Sequence, residues 1–369
     1  MGRSFKRFLI VALALGAVTY WYSKGSHQEY VNVYNWYAMI PKDVMDEFTQ
    51  ETGIRIRLDF YDNNEVLEAK LFAGSSGYDI VFPSASPYLA RQIKAGIFMP
   101  LSKELIPNAQ DLERLLMEQM ETVDPGNLYA IPYYWGTLGF AYNVESIKKR
   151  IPSAPIDSFQ MLFDPEILEK LEGCGVTMLE EAVDVYPLML IYMGKDLKSA
   201  SIEDLWQAQE NLLKIRPYIR RFSSSRLVGE LVSGETCLAQ AWSGDTQIAI
   251  REAAQLGRTI RYVIPKEGTT LWVDAMAIPK DAPHPFNAHK FINFLLRPDI
   301  AARVSLYTLL ATATKSSKTY LPEDFKNDKN VFPPLEIMEK LELDQDQDIT
   351  YERERNRMWT NFRLHRKDH

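Results

Sequence analysis

Ile54, Ile56, Leu58 and Phe60 alternate with Arg55, Arg57 and Asp59, the period-two pattern of a strand with one face in a core. Before it, residues 31–36 read as a strand, and Pro41 opens a helix whose Val44, Met45 and Phe48 share a face until Gly53 ends it. After it, a helix over about 64–73 stops at Gly74, and 78–82 is a short apolar strand closed by Pro83. This alternation of strand and helix predicts an α/β lobe with a largely parallel sheet, its ligand-facing loops at the carboxyl ends of the strands.

Residues 128–143 contain Ile131-Pro132-Tyr133-Tyr134-Trp135-Gly136. They read as an extended connection rather than a helix, because Pro132, Gly136 and Gly139 interrupt them. The first crossing between two lobes is placed there. Helices follow at 185–193 and 202–213, then strands at 237–242, 261–264 and 270–278, and a helix at 287–296 ended by Pro298. The last stretch, 351–369, is basic and polar, with Trp359 and Phe362 available to dock it onto a lobe.

At 369 residues the chain is long enough for two such lobes. At the N-terminus, Arg3, Lys6 and Arg7 precede an apolar run from Phe8 that continues to Tyr22, a signal-peptide layout. The run is short for a bilayer span of about 20 residues, although Tyr20, Trp21 and Tyr22 could hold it at an interface as an uncleaved anchor. No cysteine follows it, which excludes a lipoprotein anchor. The net charge of −7 argues against a nucleic-acid partner and suits a cationic ligand or plain solubility. Cys174 and Cys237 are the two cysteines, readable as one disulfide in an oxidising compartment or as two buried thiols.

The chain has no G-x-S-x-G elbow, P-loop or H-E-x-x-H, and its five histidines fall mostly in termini and surface loops. No catalytic residue, metal site or cofactor is expected. Carboxylates beside large aromatics stand out instead. Asp274 interrupts the apolar run Leu271-Trp272-Val273-Asp274-Ala275-Met276, where a charge is costly unless it meets a cation, whether a ligand's or an internal arginine's. Asp245 follows Trp242-Ser243-Gly244 before a helix and could be an N-cap or a ligand contact. Asp184, with Glu180 and Glu181, lies near a helix start, where the dipole alone favours acids. Trp36 could be core, and Ser84-Ala85-Ser86 an ordinary turn. Taken together, acceptors for protonated amines and flat walls for methylene chains describe a site for an aliphatic polyamine.

In combination these features resemble the periplasmic polyamine-binding proteins of ABC importers, most of all their putrescine-binding branch. The motifs that carry the resemblance include Val33-Tyr34-Asn35-Trp36, Glu51-Thr52-Gly53-Ile54, Tyr78-Asp79-Ile80-Val81, Ala241-Trp242-Ser243-Gly244-Asp245 and Asn293-Phe294-Leu295-Leu296-Arg297-Pro298-Asp299, spread from about residue 33 to 359. The resemblance implies a bilobal α/β fold of the type II binding-protein kind that closes about a hinge. Its first lobe would hold 27–134 and 270–305, and its second 135–269 and 306–369, after a leader over 1–26. It implies ligand contacts at Trp36, Ser84, Asp184, Trp242, Asp245, Trp272 and Asp274, with Tyr37 counted among them, and a Cys174–Cys237 disulfide.

It implies a monomer in the periplasm that hands a polyamine to an inner-membrane ABC permease, without catalysis. A ligand-sensing adaptor for a membrane receptor is the alternative, and an enzyme acting on amines or glycans a more distant one. Two departures bear on the ligand. Tyr37, Ala38 and Met39 stand where the family has a Ser or Thr, an acid and a Tyr, so one carboxylate is missing, and Leu310 or a close neighbour replaces a late tyrosine.

Overall fold

The computed structural model describes residues 28–344 and 347–364. The leader expected over 1–26 and the last five positions of the basic C-terminal stretch lie outside them. Among the described residues, no helix is long and apolar enough to cross a membrane.

Strand β1 (Tyr30–Trp36) leads through α1 (Lys42–Thr52) to β2 (Arg55–Tyr61), α2 (Asn64–Phe72) and β3 (Ile80–Val81). Gly53, at φ 74°, ends α1 in the left-handed conformation that glycine adopts without a steric cost. The side chain of Asn63 caps α2 by accepting from the Val66 N–H at 2.8 Å. The chain then runs through β4 (Ala130–Asn143), β5 (Val176–Met178), α3 (Ala182–Tyr192), α4 (Ile202–Ile215), β6 (Arg221–Phe222), β7 (Leu238–Trp242) and α5 (Ser243–Gln255). It closes with β8 (Ile260–Val263), β9 (Thr269–Ala277), α6 (Pro285–Leu295), α7 (Pro298–Thr308), β10 (Ala311–Thr312), β11 (Leu341–Leu343) and α8 (Ile349–Leu364).

The strands lie in the order β2-β1-β3-β9-β4-β7-β5-β6, with β8 and β10 on β4 and β11 on β9. The outer trios β2-β1-β3 and β6-β5-β7 are parallel, as the strand and helix alternation implies. The centre is not. Strand β9 runs antiparallel to both β3 and β4, and β7 antiparallel to β4. The expectation of a largely parallel sheet is corrected by the connection itself: a chain that leaves a lobe along β4 and returns along β9 must bring the two side by side in opposite senses.

Strand β4 is the seam. All fourteen of its residues are buried. Ala130–Thr137 pairs with β9, and Leu138–Asn143 pairs with β7 and β8. Two apolar cores meet along it. One runs from Val31 to Trp135 and resumes at Leu271, and the other begins at Leu138. Trp272 packs against both.

The C-terminal part divides differently from the expected boundary. Leu309, Leu310, Phe325, Val331, Leu341 and Leu343 belong to the first core, and only Tyr351, Met358, Trp359 and Phe362 join the second. The cause is strand pairing, since β10 adds to β4 at Trp135 and Tyr134 and β11 adds to β9. Residues 306–343 therefore pack with the first lobe, and α8 crosses to the second, burying Trp359 and Phe362. In that second core Cys174 and Cys237 form a disulfide, with their Cα atoms 5.6 Å apart, just ahead of the adjacent parallel strands β5 and β7.

Candidate functional site

Alternate residues of a strand share a face, so Tyr134, Gly136 and Leu138 of β4 form a row with about 6.8 Å between neighbours. Opposite them stand Asp274 and Trp272 of β9 and Trp242 of β7. The pairing of the seam thus sets a carboxylate and two indoles in line across the lobe boundary. Gly136 is the residue that permits it. A Cβ there would lie 2.4 Å from Cζ2 of Trp272 and 2.6 Å from Oγ of Ser243, the first residue of α5.

Asp274 is 6 % exposed and accepts the hydroxyl proton of Ser84 at 2.6 Å. Ser84 is itself fixed by Asn64, whose amide donates to its Oγ at 3.0 Å and whose carbonyl accepts its N–H at 3.1 Å. Burial pushes the Asp274 carboxyl up to about 7, against the opposing pull of Ser84 and the Tyr134 phenol. No arginine or lysine among the described residues pairs with it, so the internal salt bridge that could have explained a charge in this strand is absent.

Asp245 is the third residue of α5 and not its N-cap, a position held by Trp242 without any side-chain capping bond. Burial alone raises its carboxyl to about 6, and among the described residues it has no hydrogen-bond or ion-pair partner. Asp184 is the third residue of α3. The residue is half-buried and lines the cavity between the lobes, and its carboxyl is pushed up to about 7 by burial first and the neighbouring Glu181 second, against the pull of the nearby Trp242 indole and, more weakly, of Arg355. Its backbone is held by Gln240 of β7, whose amide donates to the Asp184 carbonyl at 2.6 Å.

A cavity of ≈ 50 Å³ brings the two lobes together, with Ser84, Ser86 and Trp272 on one side and Val183, Asp184 and Asp344 around it. Trp36 lies at the end of β1, half-buried, its indole N–H on the Phe82 carbonyl at 3.1 Å and its ring 4.6 Å from that of Tyr61. Tyr37 is set apart. It is 75 % exposed, and its one recorded ring contact is with Phe60 at 5.2 Å. The next residue, Ala38, takes the left-handed conformation at φ 56°. Leu310 is 5 % exposed and lies against Gly244, where a Cβ would fall 2.4 Å from its Cδ2.

Sequence reasoning missed Tyr134, Gly136 and Asp344. The first two sit in a segment read only as a connection, and their signal is the even-numbered register of β4. Asp344 follows the alternation Leu341-Glu342-Leu343, and it is matched by Arg355, which is 1 % exposed and also grips Glu352. Among the described residues no group of three or more His, Cys, Asp or Glu could hold a metal ion. Three enclosed carboxylates that, among the described residues, form no salt bridge, with indoles nearby, can take organic cations that donate hydrogen bonds.

Residues 43–333 match the family model described as bacterial extracellular solute-binding protein. The putrescine-binding periplasmic protein SpuD of Pseudomonas aeruginosa is 39 % identical over 363 residues, 97 % of this chain and 99 % of that one. The putrescine-binding periplasmic protein PotF of Escherichia coli is 39 % identical over 355 residues, 95 % of each. Among solved structures, the spermidine/putrescine ABC transporter substrate-binding protein PotD of Streptococcus pneumoniae superposes with a TM-score of 0.81 at 27 % identity, covering 91 % of this chain and 99 % of that one.

Proposed function

Because this chain belongs to the family of bacterial extracellular solute-binding proteins, we propose that it captures a polyamine between its lobes in the periplasm and delivers it, as a monomer, to an ABC permease. The observation that carries the polyamine reading is the state of Asp184, Asp245 and Asp274. All three are desolvated, and among the described residues none forms a salt bridge with a lysine or arginine, Arg355 being paired with Asp344 and Glu352 and reaching Asp184 only as a more distant charge. Such a set is unfavourable until cations arrive, so the binding free energy comes largely from neutralising charges the fold has already buried.

In this reading Asp274, oriented by Ser84, takes one ammonium group, and Asp245 and Asp184 serve another. Trp36, Trp242 and Trp272 supply the walls for methylenes and for cation–π contact, and Tyr37 lies at the rim. The seam strands β4 and β9 are the two crossings about which the lobes close. The sensing-adaptor alternative gains nothing from the relatives found.

Ala38 and Leu310 leave the pocket with one acid fewer and a more apolar end than the resemblance implies, and ligand choice shifts away from plain putrescine accordingly. A thermal-shift panel of diamines, longer polyamines, their acetylated forms and monoamines tests the whole reading. At least one amine raises the melting temperature by several degrees at micromolar concentration; a panel in which none does refutes amine capture.

A further inference from the structure

Helix α5 belongs to the second lobe, since it continues directly from β7 and buries Ala249 and Ala253 in that core. Its first two turns nevertheless rest on the first lobe. Gly244 lies against Leu310, a member of the first core. Three residues on, the spacing that puts two side chains on one helix face, the Gln247 amide donates to Oδ2 of Asp328 at 3.1 Å. Gln247 is only 6 % exposed. Phe325 and Val331, on either side of Asp328, are buried in the first core, and Oδ1 of Asp328 accepts the Asn330 N–H at 2.9 Å, so the acceptor is held in a fixed turn. Between the two contacts stands Asp245, the carboxylate that α5 offers the ligand. Rotation of the lobes about β4 and β9 breaks a bond of this kind, whereas a bond within one lobe survives it, so the Gln247–Asp328 bond favours the closed arrangement.

We propose that Gln247 is a positioning residue, latched to Asp328 across the lobe boundary: without touching the ligand it keeps Asp245 across the cleft from Asp274, and it sets how long an amine stays bound rather than which amine is chosen. This rests on capture between the lobes and adds to it the side chains that hold the cleft shut. The two partners can exchange roles. Gln247→Glu places a second carboxylate opposite Asp328 and turns attraction into repulsion. When Asp328→Asn is added, the new amide nitrogen donates to the glutamate while its oxygen keeps the Asn330 N–H, which rebuilds the bond with donor and acceptor reversed and the total charge unchanged.

Calorimetric titration with putrescine and with spermidine, together with dissociation rates from stopped-flow tryptophan fluorescence, tests the latch on the natural chain, on Gln247→Glu and on the double variant. Gln247→Glu weakens binding about tenfold, equally for both amines and mostly through faster dissociation, and the double variant returns to within about threefold of the natural chain. A loss that the double variant does not recover, a loss that differs between the amines, or no loss at all overturns the latch and leaves amine capture standing. Binding of neither amine by the natural chain counts against amine capture instead, and small-angle X-ray scattering of the ligand-free proteins then decides the latch. A larger radius of gyration for Gln247→Glu, recovered in the double variant, supports it, and equal radii overturn it.

Discussion

Ser84 donates a hydrogen bond to Asp274 across 2.6 Å, and that neutral bond, with a smaller pull from the Tyr134 phenol, is the compensation this buried carboxylate receives among the described residues. Replacing the charge therefore acts in opposite directions on stability and on binding. Asp274→Asn raises the melting temperature of the ligand-free protein measured at pH 8, because it removes a desolvated charge. The same substitution weakens amine binding on the order of 100-fold in calorimetry. Loss of stability together with loss of binding would mean that Asp274 is structural.

The pH dependence follows from the direction of the shifts. Asp184 and Asp274 titrate at about 7 and Asp245 at about 6 when folded, above the ordinary carboxyl value. A carboxyl whose folded value is raised destabilises the fold progressively as pH climbs from the unfolded value to the folded one, and by a constant amount above it. The ligand-free protein is accordingly more stable at pH 5 than at pH 8, by thermal denaturation. Amine affinity runs the other way and falls as pH drops below about 7, because protons then compete with the ligand. Affinity that is flat from pH 8 to pH 5.5 would contradict this.

How much of this was legible beforehand varies from element to element. Asp274 announced itself, because a lone charge in an apolar strand has few physical explanations, and the β1–α1–β2–α2 alternation was plain in the spacing of Val44, Phe48, Ile56 and Leu58. Strand sense was not legible: the composition of β9 is the same whether it runs with β3 or against it. The return of Leu321, Phe325 and Leu341 to the first core was hidden too, since it depends on the two- and three-residue strands β10 and β11, too short to leave a period. Tyr37 was counted with the ligand contacts for its place after Trp36; it stands in the turn beyond β1, 75 % exposed, with its ring 5.2 Å from that of Phe60.

Gly136→Ala tests the seam. The added methyl would have to displace the Trp272 ring and Ser243 at once, both of them packed. We expect a loss of about 1–3 kcal/mol in denaturant unfolding together with weakened binding. Gly244→Ala, where only the end of the Leu310 side chain must move, costs less.

Gln240 and Trp359 hold the turn that presents Asp184. Gln240 donates to the Asp184 carbonyl at 2.6 Å, and the Trp359 indole donates to the Glu180 carbonyl at 2.9 Å. Gln240→Leu removes that second donor to the carbonyl, and with it the acceptor of the Leu179 N–H, and destabilises the protein by on the order of 1–2 kcal/mol in urea. It also lowers amine affinity, because it loosens Asp184, although Gln240 is not itself a candidate ligand contact.

Reduction of Cys174–Cys237, which closes a separation of 63 residues, costs stability of roughly 4 kcal/mol in the loop-entropy account. The disulfide ties β5 to β7 behind the cleft, so amine affinity measured well below the melting temperature changes little on reduction.

The central claim is that positive charge, not shape, is what the cleft is built to receive. Calorimetric titration at pH 8 with a linear polyamine and with a neutral diol of the same length tests it most directly. The account predicts micromolar or tighter binding of the amine and no detectable binding of the diol; equal affinity for the two, or heat from neither, would contradict it.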